Sequence, residues 1–238
     1  MHIFDTYNLR ARICVSIFYA SPLVVDVIYL MGKTLSVTES ILVSALCIAI
    51  CQSLVCMHHN PTNGHPVKNK AAELLLPTST LLPEIRARYY RKLAKFEPEF
   101  QRLLEYNNSS SDVLKENHED VFNICISVIS WLRANTRNKE TFPLVYEENI
   151  NYGFTKNMMR LKPIGITINI IAILMFGTYI YTIISSNIFT WSTHCMYCFC
   201  LLLHIASTSY LCKCIDDSGV DDAATRYANA LLETIDIL

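Results

Sequence analysis

The stretch PIGITINIIAILMFGTYIYTIISS, residues 163–186, runs for 24 positions without one acidic or basic side chain. Coiled as a helix at about 1.5 Å per residue it reaches about 36 Å, more than the roughly 30 Å hydrocarbon core of a bilayer. A surface helix of that length needs a polar face, and this run offers only scattered Thr, Asn and Ser. It reads as a membrane-spanning helix.

Three more apolar runs surround it. Ser192–Cys212 follows after a few residues around Asn187 and Trp191, and Ile13–Met31 and Ile41–Met57 are joined by the polar loop GKTLSVTES. Each is long enough to cross a bilayer, and Thr38–Ser40 or His58 extend the shorter second run. The sequence therefore predicts an all-α membrane protein built from two transmembrane helical hairpins, residues 13–57 and 163–212. A cytoplasmic N-terminus (1–12), a cytoplasmic helical domain (58–162) and a short cytoplasmic C-terminal helix (213–238) complete it. The first run has no small-residue cleavage site ahead of a mature domain, so it reads as a retained span rather than a signal peptide.

Composition agrees. Charged residues make up 17% and hydrophobic ones 52% of the 238 residues, against about 25% charged in soluble domains. Mean hydropathy is +0.27. With only 6 glycines, neither a glycine-rich phosphate loop nor a turn-rich β-protein fits. Of the 10 cysteines, Cys14, Cys47, Cys51, Cys56, Cys195, Cys198 and Cys200 fall in apolar runs. There cysteine acts as a small hydrophobe, so the thiols read as mostly reduced.

The net charge of -1 hides a segregation. Of 20 Lys and Arg, all but Lys33 lie before the first run, between the second and third, or after the fourth. Arg10, Arg12, Lys162 and Lys213 flank the runs closely. The positive-inside rule then places both termini and the central region in the cytoplasm, with the protein in the inner membrane.

The central region is helical in pattern. Pro83–Phe96 opens with proline and carries Ile85, Tyr89 and Leu93 on one face; Glu119–Arg137 carries Val121, Ile124, Val128 and Leu132. A third helix over Phe142–Leu161 feeds the third span, with Pro163 at the boundary. Asn60–Pro66 reads as a loop. The tail, Ser218–Ile235, reads as an amphipathic helix with Ser218 as N-cap.

Several constellations bear on chemistry. His194, Cys195, Cys198, Cys200 and His204 resemble a metal string, but it lies inside an apolar run without a second ligand pair, and no cofactor is expected. Ionisable residues inside a membrane span are costly and mark function. Asp26 is the acidic residue of the first run, and His204 shares a stripe of the fourth with Thr193, Tyr197, Cys200, Ser207 and Leu211. A second stripe holds Thr167, Thr178, Thr182 and Ser185. Thr178, Thr182, His204 and Asp26 are the pore-lining candidates, and helix packing is the other reading of the same stripes. Counted along ideal helices, Asp26 and His204 fall at depths roughly 7 Å apart, which argues against a direct pair. In the cytoplasmic domain Arg86, Arg88, Arg91, Lys92 and Lys95 crowd one helix, with Tyr89 and Tyr90 between them. This is the candidate site for a phosphorylated ligand, because guanidinium groups grip phosphate and tyrosines stack bases. A basic face near anionic lipid is the alternative. With no GxSxG, HExxH, Walker or kinase motif, the chain does not read as an enzyme.

Certain strings resemble a family of small membrane proteins from bacterial anti-phage operons. They are Tyr7-Asn8-Leu9-Arg10-Ala11-Arg12, Asn60-Pro61-Thr62, Trp131-Leu132-Arg133 with Thr136-Arg137, and Asn149-Ile150-Asn151-Tyr152-Gly153-Phe154 leading to Asn157, Leu161, Lys162 and Pro163. The layout is similar to that of the Hailong system, whose four-span effector is encoded beside a nucleotidyltransferase. That resemblance implies a homo-oligomeric ion channel held shut by a short DNA oligomer, with depolarisation of the infected cell on opening. The chain departs from an ideal pore in lacking a charged ring or glycine-rich filter. The expected function is thus a ligand-controlled membrane effector, a tetramer if it is a pore. A non-conducting anchor that recruits a cytoplasmic partner is the alternative.

Overall fold

In the computed structural model, described over residues 5–31, 36–57, 70–107, 113, 116–188 and 190–238, every regular element is a helix or helical turn. The expected loop Asn60–Pro66, with Lys33 and Lys68, lies outside the described residues. Helix α1 is a continuous run of Thr6–Asn8, a π-helical segment Leu9–Ile13, and Cys14–Met31. There follow α2 (Val37–Met57), α3 (Lys70–Leu75), α4 (Pro83–Leu93), a 3-10 turn Pro98–Gln101 leading into α5 (Arg102–Asn107), and α6 (His118–Asn135). The last three are α7 (Pro143–Ser185), α8 (Trp191–Cys214) and α9 (Asp217–Glu233), which ends in a 3-10 turn Thr234–Asp236.

Four helical stretches are long and apolar enough to cross a membrane: Thr6–Tyr29, Val37–Leu54, Pro143–Ser185 and His194–Cys214. They fit an all-α, multi-pass membrane protein. Contacts divide the chain into two compact units, Met1–Asn63 with Gly153–Val220, and Gly64–Tyr152 with Asp221–Leu238.

Three local details differ from expectation. The first helix begins at Thr6 rather than Ile13, so Arg10 and Arg12 are helical. The helix expected over Phe142–Leu161 does feed the third span, but as one 43-residue helix, α7, with Pro163 in its interior rather than at a boundary. The tail helix is capped by Asp216, whose Oδ1 accepts the Gly219 N–H at 2.9 Å, and not by Ser218. A carboxylate can do what the serine was expected to do, one turn boundary earlier. At the start of α2, Ser36 and Glu39 form a reciprocal capping box: the Ser36 N–H donates to Glu39 Oε2 at 2.7 Å, and the Glu39 N–H to Ser36 Oγ at 3.3 Å. Two of the helix's first unpaired donors are thereby satisfied.

The apolar unit is joined by close approach and by polar ties. Pro22 lacks an N–H to give to the Phe18 carbonyl, and Ser21 Oγ donates to that carbonyl instead, at 2.8 Å, the usual repair for proline inside a membrane helix. Ser16 of α1 donates to Gln52 of α2 at 2.7 Å. Asn157 Nδ2 donates at 2.7 Å to the carbonyl of Ala11, inside the π-helical segment where the regular ladder is offset. Tyr19 donates its hydroxyl to the Met158 carbonyl at 2.7 Å, which lays its ring over Gly165.

The second unit has the interior of a soluble domain. Leu75, Tyr90, Leu93, Leu103, Ile124, Val128, Leu132 and Leu231 are its fully buried centre, with α9 contributing Ala228, Leu232 and Ile235. Val121, Ile124, Val128 and Leu132 line one face of α6, as their spacing predicts. The Tyr90 hydroxyl donates to the Leu75 carbonyl, so this buried phenol is satisfied, and desolvation raises its pKa.

Two outcomes follow from this packing. A Cβ at Gly165 would stand 2.6 Å from Tyr19 Cδ1, so Gly165→Ala must displace a ring already held by its hydroxyl. Overpacking of this kind costs about 1–3 kcal/mol; detergent-solubilised variant should unfold at lower temperature, and an unchanged midpoint would refute the contact. Burial also pushes the Cys125 thiol up to about 12. At pH 8 the thiolate is therefore withheld, and maleimide should label exposed Cys214 in the native protein but Cys125 only after unfolding.

Candidate functional site

Inside the apolar unit, three helices each contribute a polar side chain to one buried point. Asp26 comes from α1, one turn beyond Pro22; Asn169 comes from α7; His204 comes from the middle of α8. His204 is fully buried, and Asp26 and Asn169 nearly so. The His204 Nε2 lies 2.8 Å from Asp26 Oδ2, and its Nδ1 lies 2.8 Å from Asn169 Oδ1. Asn169 Nδ2 in turn donates to Ser207 Oγ at 3.0 Å. Phe176 of α7 stacks on the imidazole, with ring centroids 6.0 Å apart and planes at 25°. Cys200, also buried, stands beside Asp26.

The expected separation of Asp26 and His204 in depth is overturned by this 2.8 Å contact. Counting residues assumes straight, upright helices. Pro22 interrupts the hydrogen-bond ladder just before Asp26, and packed membrane helices tilt.

Proton placement in the network is tied to the amide. With Asn169 Oδ1 toward the ring, Nδ1 donates to it, and a second hydrogen lies between Nε2 and the Asp26 carboxyl, carried by either partner. With the amide turned over, its NH2 meets Nδ1, its oxygen accepts from Ser207, and a singly protonated ring suffices. The same heavy atoms accommodate both arrangements. Asp26 Oδ1 is buried and accepts no hydrogen bond among the described residues.

The other expected pore residues stand elsewhere. Thr178 and Thr182 are exposed on α7, and their hydroxyls donate back to the carbonyls of Leu174 and Thr178, each at 2.8 Å. Asp26 and His204 are thus brought together, and the two threonines are not joined to them. Sequence reading passed over Asn169, which lies off the threonine stripe. Its signal was present: it is the one Asn or Gln in residues 163–186, and an isolated amide in hydrocarbon needs a partner.

The five basic candidates of α4 are distributed unevenly. Arg88 Nη2 pairs with Asp236 Oδ2 at 2.7 Å, and Lys92 Nζ reaches the same carboxylate at 3.1 Å and the Asp236 carbonyl at 2.9 Å. The tail therefore neutralises the middle of the basic face. Arg86 is 8% exposed and turned inward, with Nε 3.3 Å from Asn107 Oδ1. Arg91 and Lys95 are exposed. The charges that converge on a helical wheel do not present one open surface.

Among the described residues, no three His, Cys, Asp or Glu side chains gather as metal ligands. Comparison with family models, with curated proteins and with solved structures finds no match to this chain.

The buried pair makes a thermodynamic prediction. Asp26→Leu and His204→Leu each strand a buried polar partner, and each should lower stability in lipid nanodiscs. The double variant removes both and should recover part of the loss, leaving a coupling of about 0.5–3 kcal/mol. Strictly additive losses would show that the two side chains do not interact.

Proposed function

We propose that this chain is a multi-pass inner-membrane protein acting as an effector of bacterial anti-phage defence. Its termini and helical unit face the cytoplasm, and homo-oligomers of it conduct ions under control of a nucleotide or short DNA-oligomer ligand. The observation that carries the reading is the Asp26–His204–Asn169 network. Ionisable groups held dry among apolar helices are retained against a free-energy penalty, and a proton-bearing network with two arrangements is suited to a conducting element or its gate.

Further features support it. The bias of Lys and Arg toward one side of the apolar runs supports the orientation. Thr178 and Thr182 satisfy their hydroxyls within α7, so their exposed face can meet lipid, water or another copy. Four helices enclose little space alone, so a pore built from this chain needs symmetric copies around an axis, four in the simplest arrangement. A nucleotidyltransferase encoded alongside would supply the ligand, as the sequence resemblance implies.

One observation favours a second reading. Asp26 and His204 bond to each other within one chain, as a structural tie would. On that reading the protein is a non-conducting sensor or anchor whose helical unit recruits a defence partner.

Planar-bilayer recording separates the two. Reconstituted wild type should show unitary conductance, and Asp26→Asn or His204→Gln should change its open probability or amplitude by at least about tenfold, the order of a lost buried charge-assisted hydrogen bond. Silence of the wild type with and without oligonucleotide, in a preparation shown to be oligomeric, would favour the anchor.

A further inference from the structure

The helical unit contains a cavity of about 450 Å³ that belongs neither to the buried network nor to the basic face of α4. Its walls come from the end of α6 (Ser130, Arg133, Thr136, Arg137), the first turns of α7 (Val145, Tyr146, Asn149) and Tyr227 of α9. That volume lies within the roughly 300–1,000 Å³ typical of small-molecule sites.

The charge on its rim is the telling feature. Arg133 and Arg137 are exposed, and neither makes a hydrogen bond or ion pair among the described residues. Five other cations of the unit are answered by carboxylates: Lys70 by Asp221 at 2.8 Å, Arg88 and Lys92 by Asp236, Arg102 by Asp120, and Arg226 by Glu148 at 3.4 Å. The Leu132 carbonyl at the end of α6 already accepts both the Thr136 N–H and the Thr136 hydroxyl, at 2.9 and 2.8 Å. Two guanidinium groups bordering one hollow repel each other and have ten donors to place; a phosphate answers both needs. Val145 and Tyr146 belong to the first turn of α7, whose positive end adds to the field.

The remaining walls suit a flat ring. Tyr227 is held parallel to Tyr152, with planes at 4° and centroids 6.2 Å apart, so its ring is a fixed wall. Tyr146 borders the same space, and Asn149 supplies an amide that can both donate and accept. Arginines at one side and aromatic walls at the other describe a ligand with an anionic end and a planar body.

We propose that this cavity binds a phosphate ester of about mononucleotide size, its phosphate on Arg133 and Arg137 and its ring against Tyr227 and Tyr146. The assignment deepens the ligand-controlled reading given above and rests on it for its consequence, though binding is measured without reference to conductance. It moves the ligand from the α4 helix, where Asp236 occupies Arg88 and Lys92, to the end of α6.

The test uses the full-length protein in zwitterionic detergent, with isothermal titration of AMP, of inorganic pyrophosphate, and of dihexanoyl phosphatidylglycerol as a soluble anionic headgroup. Wild type should bind AMP saturably, and Arg133→Ala/Arg137→Ala should bind it at least about tenfold more weakly, since each charge-assisted hydrogen bond lost is worth about 1.5–3 kcal/mol. Arg133→Lys/Arg137→Lys keeps the charge without the planar fork and should fall between. Arg91→Ala/Lys95→Ala on α4 should bind as wild type does. Tight binding of the lipid headgroup in place of AMP, lost in the same double variant, would support the phosphate site and identify its source as membrane. Failure of all three probes to bind, or equal binding by wild type and the Arg133→Ala/Arg137→Ala protein, would overturn the proposal. Because both side chains are exposed, an unchanged circular dichroism melt is expected of the variants. Conductance is a separate readout: AMP binding by a silent protein would sink the channel and leave the site standing.

Discussion

Helices in hydrocarbon have no hydrophobic reason to adhere, because lipid tails are as apolar as leucine. Side chains that water would satisfy elsewhere must then find one another, and this requirement organises the apolar unit. Asp26, Asn169 and His204 come from three separate helices, and each is the partner the next needs. Pulling any one helix away would strand an ionisable group in a medium with no donor to offer. The same constraint recurs in smaller form where Ser16 meets Gln52, where Asn157 serves the Ala11 carbonyl, and where Lys162 Nζ reaches the Ile215 carbonyl at 2.5 Å. Glycine does the complementary work: Gly153 faces Tyr7 and Ala11, and Gly165 faces Tyr19, at distances that leave no room for a methyl group.

The helical unit obeys the other solvent. Its interior is Leu, Ile, Val and Tyr drawn from α3, α4, α5, α6 and α9, and burial of that apolar surface is what drives it together. Here polar contacts are mostly peripheral. The bridge from Arg88 to Asp236 is partly exposed and of small energetic weight. Its importance is electrostatic: it neutralises a helix whose sequence looks strongly basic. Arg133 and Arg137, separated by three residues and less conspicuous in the sequence, keep their charge facing a cavity.

Much of the fold was legible in the sequence because it follows from local rules. Length and apolarity mark four helices, proline opens α4, and the period of Val121, Ile124, Val128 and Leu132 marks the buried face of α6. Ser36 and Glu39 form a capping box inside the stretch expected as a polar loop, a motif that needs only neighbouring residues to form. Each of these depends on residues a few positions apart, whose relative placement a helix fixes by itself.

What joins distant residues was not legible, for the reason that no local rule carries it. Asp26 and His204 are 178 positions apart, and helix tilt together with the break at Pro22 decides that they touch. Asp236 reaches back to α4 only because α9 packs into the core, and with that one contact the five-residue basic cluster ceases to be an open surface. Sequence alone determined that the chain is helical, apolar in four stretches and charged between them. Tertiary structure decided which polar groups are paired and which are left to bind something else, because pairing depends on packing, and packing is a property of the whole unit rather than of any one helix.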